Sequence, residues 1–359
     1  MSEYMARYWH VTENGRLQCD LCPRKCTLNN GQHGVCLVRK RQGDRMILTS
    51  YGRLSSACVD PIEKKPLFHF YPGSGILSIG TIGCNLTCKF CQNSDISRAS
   101  DPHLMKSQAT PGIIAQAARQ LDCKSVAFTY NDPVVFAEYA MDVADACHAN
   151  DIRTVAVTAG YMSQDARRDF YSRIDAANVD LKAFTDDFYA RLSGARLQPV
   201  LDTLTYLKHE TAVWLEITTL LIPGWNDSDA ELTAMTSWIH RELGPDVPLH
   251  FSAFRPTYKL TDVPPTPIAT LVRARNIAQG AGLRYVYIGN LPHTEGTTTF
   301  CPTCTIPLIA RNVHPINLYK LTATGTCPQC GSMIAGHFDP APGNFGGRPL
   351  PIAFNTGNG

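Results

Sequence analysis

Ile76-Leu-Ser-Ile-Gly-Thr-Ile-Gly-Cys84-Asn-Leu-Thr-Cys88-Lys-Phe-Cys91 decides how the rest of the chain is read. It gives a short apolar strand, a turn, and three cysteines at C-x3-C-x2-C spacing. Three thiolates can ligate three irons of a cubane and leave the fourth iron without a protein ligand. A cluster used only for electron transfer has every iron capped. One that binds a substrate keeps a vacancy, as catalytic zinc does beside structural zinc. A zinc site, or three unrelated cysteines, is the plain alternative; the strand context and Phe90 before the last cysteine weigh against it.

Outward from this stretch the sequence alternates apolar runs with helix-compatible ones. Candidate strands are Ile76–Ile79, Ser125–Thr129, Thr154–Thr158, Asn178–Lys182, Trp214–Leu221, Leu249–Phe254 and Arg284–Ile288. Candidate helices lie between them at Pro111–Gln120, Val134–Ala149, Gln164–Ser172, Pro199–His209, Asp229–Glu242 and Pro267–Gly280. Repeated β–α alternation implies an α/β fold with a parallel sheet, either an open barrel or a doubly wound sheet. Such sheets hold their chemistry at the C-terminal strand ends. Here those ends carry Cys84, Asn131, Asp132, Thr158, Lys182, Thr218, Thr219 and His250.

Composition narrows the class further. The 359 residues are 44% hydrophobic and 18% charged, ordinary for a packed protein with one large domain and smaller appendages. A net charge of +2 gives no phosphate footprint and leaves nucleic acid as an open question. No basic segment followed by an apolar run opens the sequence, and no apolar stretch reaches membrane-spanning length. Of fourteen cysteines, eleven fall in three tight groups, which indicates metals in a reducing compartment, the cytoplasm, rather than disulfides.

Two of those groups flank the central one. Cys301-Pro-Thr-Cys304 and Cys327-Pro-Gln-Cys330 form a zinc-ribbon pattern whose four thiolates close a tetrahedral site, with rubredoxin-like iron as the rival. Cys19-x2-Cys22-x3-Cys26 and Cys36 offer four more, for an auxiliary [4Fe–4S] cluster or a mononuclear zinc or iron. The division expected is an N-terminal four-cysteine metal-binding extension over 1–50, a β/α region over 51–290, and a ribbon with an extended tail over 291–359. Cys58, Cys123 and Cys147 read as small buried hydrophobes or unpaired thiols.

The cysteine motif with its β/α alternation resembles the radical S-adenosylmethionine (SAM) superfamily. The stretch Val59-Asp-Pro-Ile-Glu-Lys-Lys-Pro-Leu-Phe-His-Phe-Tyr-Pro-Gly-Ser74 is similar to the radical SAM component of the AmmeMemoRadiSam system, a relative of the pyruvate formate-lyase activating enzymes. The resemblance implies a partial (β/α)6-type barrel with cysteine-rich metal-binding extensions at both ends. It also implies a [4Fe–4S] cluster on Cys84, Cys88 and Cys91 that cleaves SAM to a 5′-deoxyadenosyl radical. A flavodoxin- or ferredoxin-like electron donor follows from the same likeness, as do Memo-like and AMMECR-like partners. By position, Asn131 and Asp132 take the place of the segment that binds the SAM amino group. Asp180-Leu-Lys182 matches a motif in which the lysine pairs with the SAM carboxylate, and Thr158 and His250 stand at SAM-contacting strand ends. A solvated lysine and a satisfied core histidine are the ordinary readings of Lys182 and His250. Gln92-Asn93 replaces the His-Asn of the activating enzymes, and Val157-Thr158-Ala159-Gly160 replaces their Asp-Thr-Asn-Gly; both changes count against a glycyl-radical activase. From another class, a non-catalytic zinc-ribbon adaptor would give the strand-end polar residues no purpose.

Overall fold

The computed structural model describes residues 4–99, 101–105 and 107–354. All seven apolar runs expected as strands pair in chain order in one sheet. With β1 (Ser56–Pro61) and β9 (Leu350–Pro351) added, its members are β2 (Gly75–Gly80), β3 (Ser125–Phe128), β4 (Arg153–Thr158), β5 (Ala176–Asp180), β6 (Trp214–Leu221), β7 (Leu249–Ala253) and β8 (Val286–Gly289). The order across the sheet is β8-β7-β6-β5-β4-β3-β2-β1-β9, and β2 through β8 are parallel. The sheet is open, as a partial barrel requires, but it carries seven parallel strands rather than six. Val286–Gly289 extends the ladder beside β7 because its apolar residues are buried like those of the inner strands.

In-register rows such as Ile79, Phe128, Ala156, Ala177 and Leu215 run across five strands, so the residues that follow each strand emerge at one edge. Burial on both faces explains why these strands are continuously apolar. The crossovers are helical: α1 (Pro111–Gln120), α2 (Ala137–His148), α3 (Gln164–Tyr171), α4 (Gln198–Glu210), α5 (Asp229–Leu243) and α6 (Ile268–Gly280). Thr110 caps α1 by accepting from the Ile113 amide, and Ser228 caps α5 through the Glu231 amide. The helix expected from Val134 instead begins as a 3-10 turn over Pro133–Phe136, capped by Asp132, and becomes α-helical at Ala137.

The two cysteine-rich ends attach differently. Residues 4–50 form two small three-stranded sheets, and Cys19, Cys22, Leu17 and Val38 belong to the same apolar core as the main sheet. The C-terminal ribbon builds a second core from Leu308, Ile309, Cys301 and Cys327 against Phe68, Tyr285 and Tyr287. Beyond it the Gly/Pro-rich tail is an ordered arm. Its Gly343 amide donates to the Pro72 carbonyl, Phe345 to Gly73, and Leu350–Pro351 pairs antiparallel with Val59 and Cys58. At Gly73, held at φ +79°, a Cβ would strike the Gly343 carbonyl, so glycine is required for this contact. Among the described residues no helix is long and apolar enough to cross a membrane.

Candidate active site

The C-terminal strand ends open into a cavity of about 650 Å³. Cys84, Cys88 and Cys91 line it together with Asn131, Asp132, Thr158, Asp180, Lys182, Thr218 and His250, so every candidate cluster ligand and SAM-contacting residue of the central region meets there. Burial pushes the thiols of Cys84 and Cys88 above the ordinary cysteine value, and the Lys182 charge opposes it at Cys88.

The loop that carries the cysteines is held by its neighbours. The Asn131 amide accepts from the Thr81 N–H at 2.9 Å and donates to Thr81 Oγ1, the Ile82 carbonyl and the Gly83 carbonyl. That side chain is spent on the loop, which leaves Asp132 as the acidic group of the pair facing the cavity. Asp132 accepts from Thr158 Oγ1 at 3.0 Å, from the Val134 amide at 3.1 Å and from the Ala159 amide at 2.9 Å. A carboxylate offers about four acceptor positions, so roughly one remains for a ligand. Burial raises its pKa, against the pull of the Ala159 and Val134 amides and the Thr158 hydroxyl. Thr158 thus acts on Asp132 and the Gly160 amide.

Lys182 lies two residues past the end of β5, not within the strand as the sequence suggested, and its Nζ donates to Asp180 Oδ2 at 2.8 Å. Burial works against the ammonium, but Asp180 and Cys88 outweigh it and hold the pKa above the usual lysine value. His250 is buried, and one ring nitrogen meets Glu216 Oε2 at 2.7 Å. Glu216 also accepts from the amides of Phe68 and His69 and from the Trp214 indole. Burial alone would raise this carboxyl; the His250 hydrogen bond and its charge hold it below the ordinary glutamate value. His250 therefore has the partner of a satisfied core histidine while still lining the cavity.

Three further wall residues extend this picture. The Thr218 hydroxyl is buried in the wall with no partner. Glu63 is buried with Oε2 unpartnered, while Oε1 accepts from the Gly73 amide at 2.8 Å. Burial pushes its carboxyl up to about 7 against the opposing charge of Arg311. His314, from the ribbon, completes that side with Thr297 and Val313, so the C-terminal module forms part of the wall. Thr218 sits in the middle of β6 rather than at the strand end where the sequence placed it; Glu63 lies in the 59–74 stretch but nothing local marks its burial.

The flanking quartets differ in geometry. The sulfurs of Cys301, Cys304, Cys327 and Cys330 all lie within 4.8 Å of one another, which is the packing a single tetrahedral ion needs. Among the described residues no other three Cys, His, Asp or Glu converge that closely. Cys19, Cys22, Cys26 and Cys36 nevertheless line one small cavity, with Arg24, Arg39 and Asn85.

The sequence profile of the Radical SAM superfamily matches residues 78–235. "Uncharacterized protein MJ0808" of Methanocaldococcus jannaschii is 38% identical over 330 residues, covering 92% of this chain and 98% of that protein. The 4-hydroxyphenylacetate decarboxylase activating enzyme of Clostridioides difficile is 22% identical over 165 residues, 43% of this chain and 52% of that enzyme. This chain therefore spans only about half the length of that relative. A crystal structure of a domain of pyruvate-formate lyase-activating enzyme from Bacteroides vulgatus aligns with a TM-score of 0.41 at 14% identity, over 46% of this chain and 99% of that one.

Proposed function

We propose, for a chain that belongs to the radical SAM superfamily and to one family with MJ0808, that the strand-end cavity is where SAM is reductively cleaved and a substrate loses hydrogen. The observation that carries this is the meeting of three cysteines, the Asp180–Lys182 pair and the orphaned Thr218 hydroxyl in one cavity. The donor set suits the cofactors: soft thiols for a [4Fe–4S] cluster, and a buried ammonium with free acceptor positions for an amino acid zwitterion. When bound, cluster and SAM supply a 5′-deoxyadenosyl radical that abstracts hydrogen.

The chain's own residues do the positioning. Cys84, Cys88 and Cys91 would hold the cluster, on a loop that Asn131 fixes through three carbonyl or hydroxyl contacts. Lys182 would meet the SAM carboxylate and the remaining acceptor position of Asp132 its amino group, while Thr158 keeps Asp132 oriented. Thr218 and His250 line the same cavity. The ribbon holds structural zinc, and residues 1–50, 51–290 and 291–359 serve as electron-side module, catalytic sheet and cavity wall. A flavodoxin- or ferredoxin-like protein supplies the electron, in the reducing cytoplasm that fourteen free cysteines suit. Membership of the AmmeMemoRadiSam system, with Memo-like and AMMECR-like partners, completes the reading.

The test is anaerobic reconstitution, then SAM and dithionite, with 5′-deoxyadenosine as the readout. A Cys84→Ala/Cys88→Ala/Cys91→Ala variant should lose the product by at least about a hundredfold. Equal product in the variant refutes the assignment. A second reading, activation of a glycyl-radical enzyme, is favoured by the likeness to the decarboxylase activating enzyme. It requires a persistent glycyl EPR signal on a second protein.

A further inference from the structure

The sulfurs of the N-terminal quartet surround one shared cavity, yet no three of them come within the 4.8 Å that the ribbon's four satisfy. Cys84, Cys88 and Cys91 likewise do not all come within 4.8 Å of one another. Thiolates that share one ion must crowd around it, whereas thiolates that cap separate irons of a cubane stand farther apart. A Cβ at Gly34 would rest 3.6 Å from the Cys36 sulfur and 3.7 Å from that of Cys26, so both sulfurs border the same small volume. The wall also suits an anionic cluster. Arg39 is fully buried there; its terminal nitrogens are committed to Glu138 and the Arg7 carbonyl, but its Nε has no hydrogen-bond partner. Arg24 lines the same wall and donates to the carbonyls of Asn85 and Gly194.

Position fixes what such a cluster could do. Cys84 and Leu86 face the large cavity, whereas Asn85 between them faces the quartet's, so a single strand of backbone separates the two. The Asn85 Oδ1 is buried without a partner. Gly83, at φ +82°, presses against the Cys36 carbonyl so closely that any Cβ would collide with it. Four thiolates cap all four irons, which leaves no vacancy for substrate and restricts such a group to electron transfer.

We infer that Cys19, Cys22, Cys26 and Cys36 hold a second [4Fe–4S] cluster, through which electrons reach the cluster on Cys84, Cys88 and Cys91. The inference rests on the SAM-cleaving reading for its destination. One electron passes from a reduced flavodoxin- or ferredoxin-type protein to the quartet's cluster and on to the cavity-side cluster. The donor is oxidised by one electron, and no bond is made or broken at the quartet.

The experiment uses the full chain, reconstituted anaerobically with iron and sulfide, and counts iron, sulfide and zinc before recording EPR spectra after dithionite. Wild type should hold about eight irons and eight sulfides, and the Cys84→Ala/Cys88→Ala/Cys91→Ala variant about four of each with a reduced-cluster signal. Zinc or a lone iron in place of those four overturns the inference and leaves the SAM reading standing. An iron- and sulfide-free wild type overturns both. The relay is read in a Cys19→Ala/Cys36→Ala variant as the ratio of flavodoxin-driven to dithionite-driven 5′-deoxyadenosine, a ratio independent of how much protein is folded. It should fall at least about tenfold; an unchanged ratio overturns the relay.

Discussion

Each cysteine-rich end of the chain is anchored by one fully buried arginine, and the two anchors work differently. Arg39, in the N-terminal region, meets Glu138 of α2 with both side chains almost wholly buried, and it also donates to the Arg7 carbonyl at 2.9 Å. Here charge is matched by charge. Arg311, in the ribbon, donates to the Phe68 carbonyl at 2.7 Å, to the Thr297 carbonyl and to Thr299 Oγ1. It lies 4.1 Å over the Phe68 ring and only 3.7 Å from Glu63 Oε1. This anchor is made of carbonyls and an aromatic face, and its carboxyl neighbour keeps an unpartnered oxygen in the cavity wall. The N-terminal end is fastened through a close ion pair. The C-terminal end is fastened through the wall of the site, so its fit and the cavity's chemistry are coupled.

The strongest way to break this contrast is Glu138→Gln, which leaves Arg39 buried without its counter-charge. A loss of about 3–5 kcal/mol in chemical denaturation is expected, and a loss under about 1 kcal/mol would remove the distinction. Arg311→Met should cost about 2–3 kcal/mol, since two carbonyls and the Thr299 hydroxyl lose hydrogen bonds while Glu63, 3.7 Å away, can escape an unpaired charge by taking up a proton. Zinc content should be retained in that variant, because Arg311 is not among the converging ligands.

Lys182→Met probes the cavity apart from either anchor. It should weaken SAM binding by about 10–100-fold in calorimetry, and change stability little because Asp180 is partly exposed. The smallest effect is a pH slope. Glu63, at about 7 when folded against an ordinary 4.5, holds a proton that the unfolded chain releases. The folded state therefore binds more protons between those values, and stability falls as pH rises through that window. Glu63→Gln should flatten this slope, by at most about 1.4 kcal/mol per pH unit, as read from unfolding midpoints between about pH 5.5 and 6.5. An unaltered slope would separate Glu63 from the ribbon's anchoring.

The parallel ladder was legible because buried strands need near-continuous apolar runs, as in Ser125–Phe128 and most of Trp214–Leu221. Cys84, Asp132 and Lys182 were legible just past strand ends for the same reason, whereas His250 is the second residue of β7 and reaches the cavity from within its strand. What the sequence concealed is long-range. Glu216 sits in an apolar strand, and its partners Phe68 and His69 lie far earlier, at separations of 148 and 147 in sequence. Asn131 looked like a ligand group, yet its amide is used by Thr81, Ile82 and Gly83 on the neighbouring loop. The first fifty residues read as a separate metal-binding extension, yet their apolar side chains join the sheet's core. Leu350–Pro351 carried no strand signal because a two-residue edge pairing needs only backbone.

That last pairing sets the order in which the sheet can be completed. The outer flank of β1 waits for a partner far downstream (Val59 opposite Leu350), so during synthesis it must stay open until Leu350 has emerged. An exposed flank of this kind invites foreign strands. Its closing element ends in Pro351, which lacks an amide hydrogen and so discourages a further strand from adding outside it.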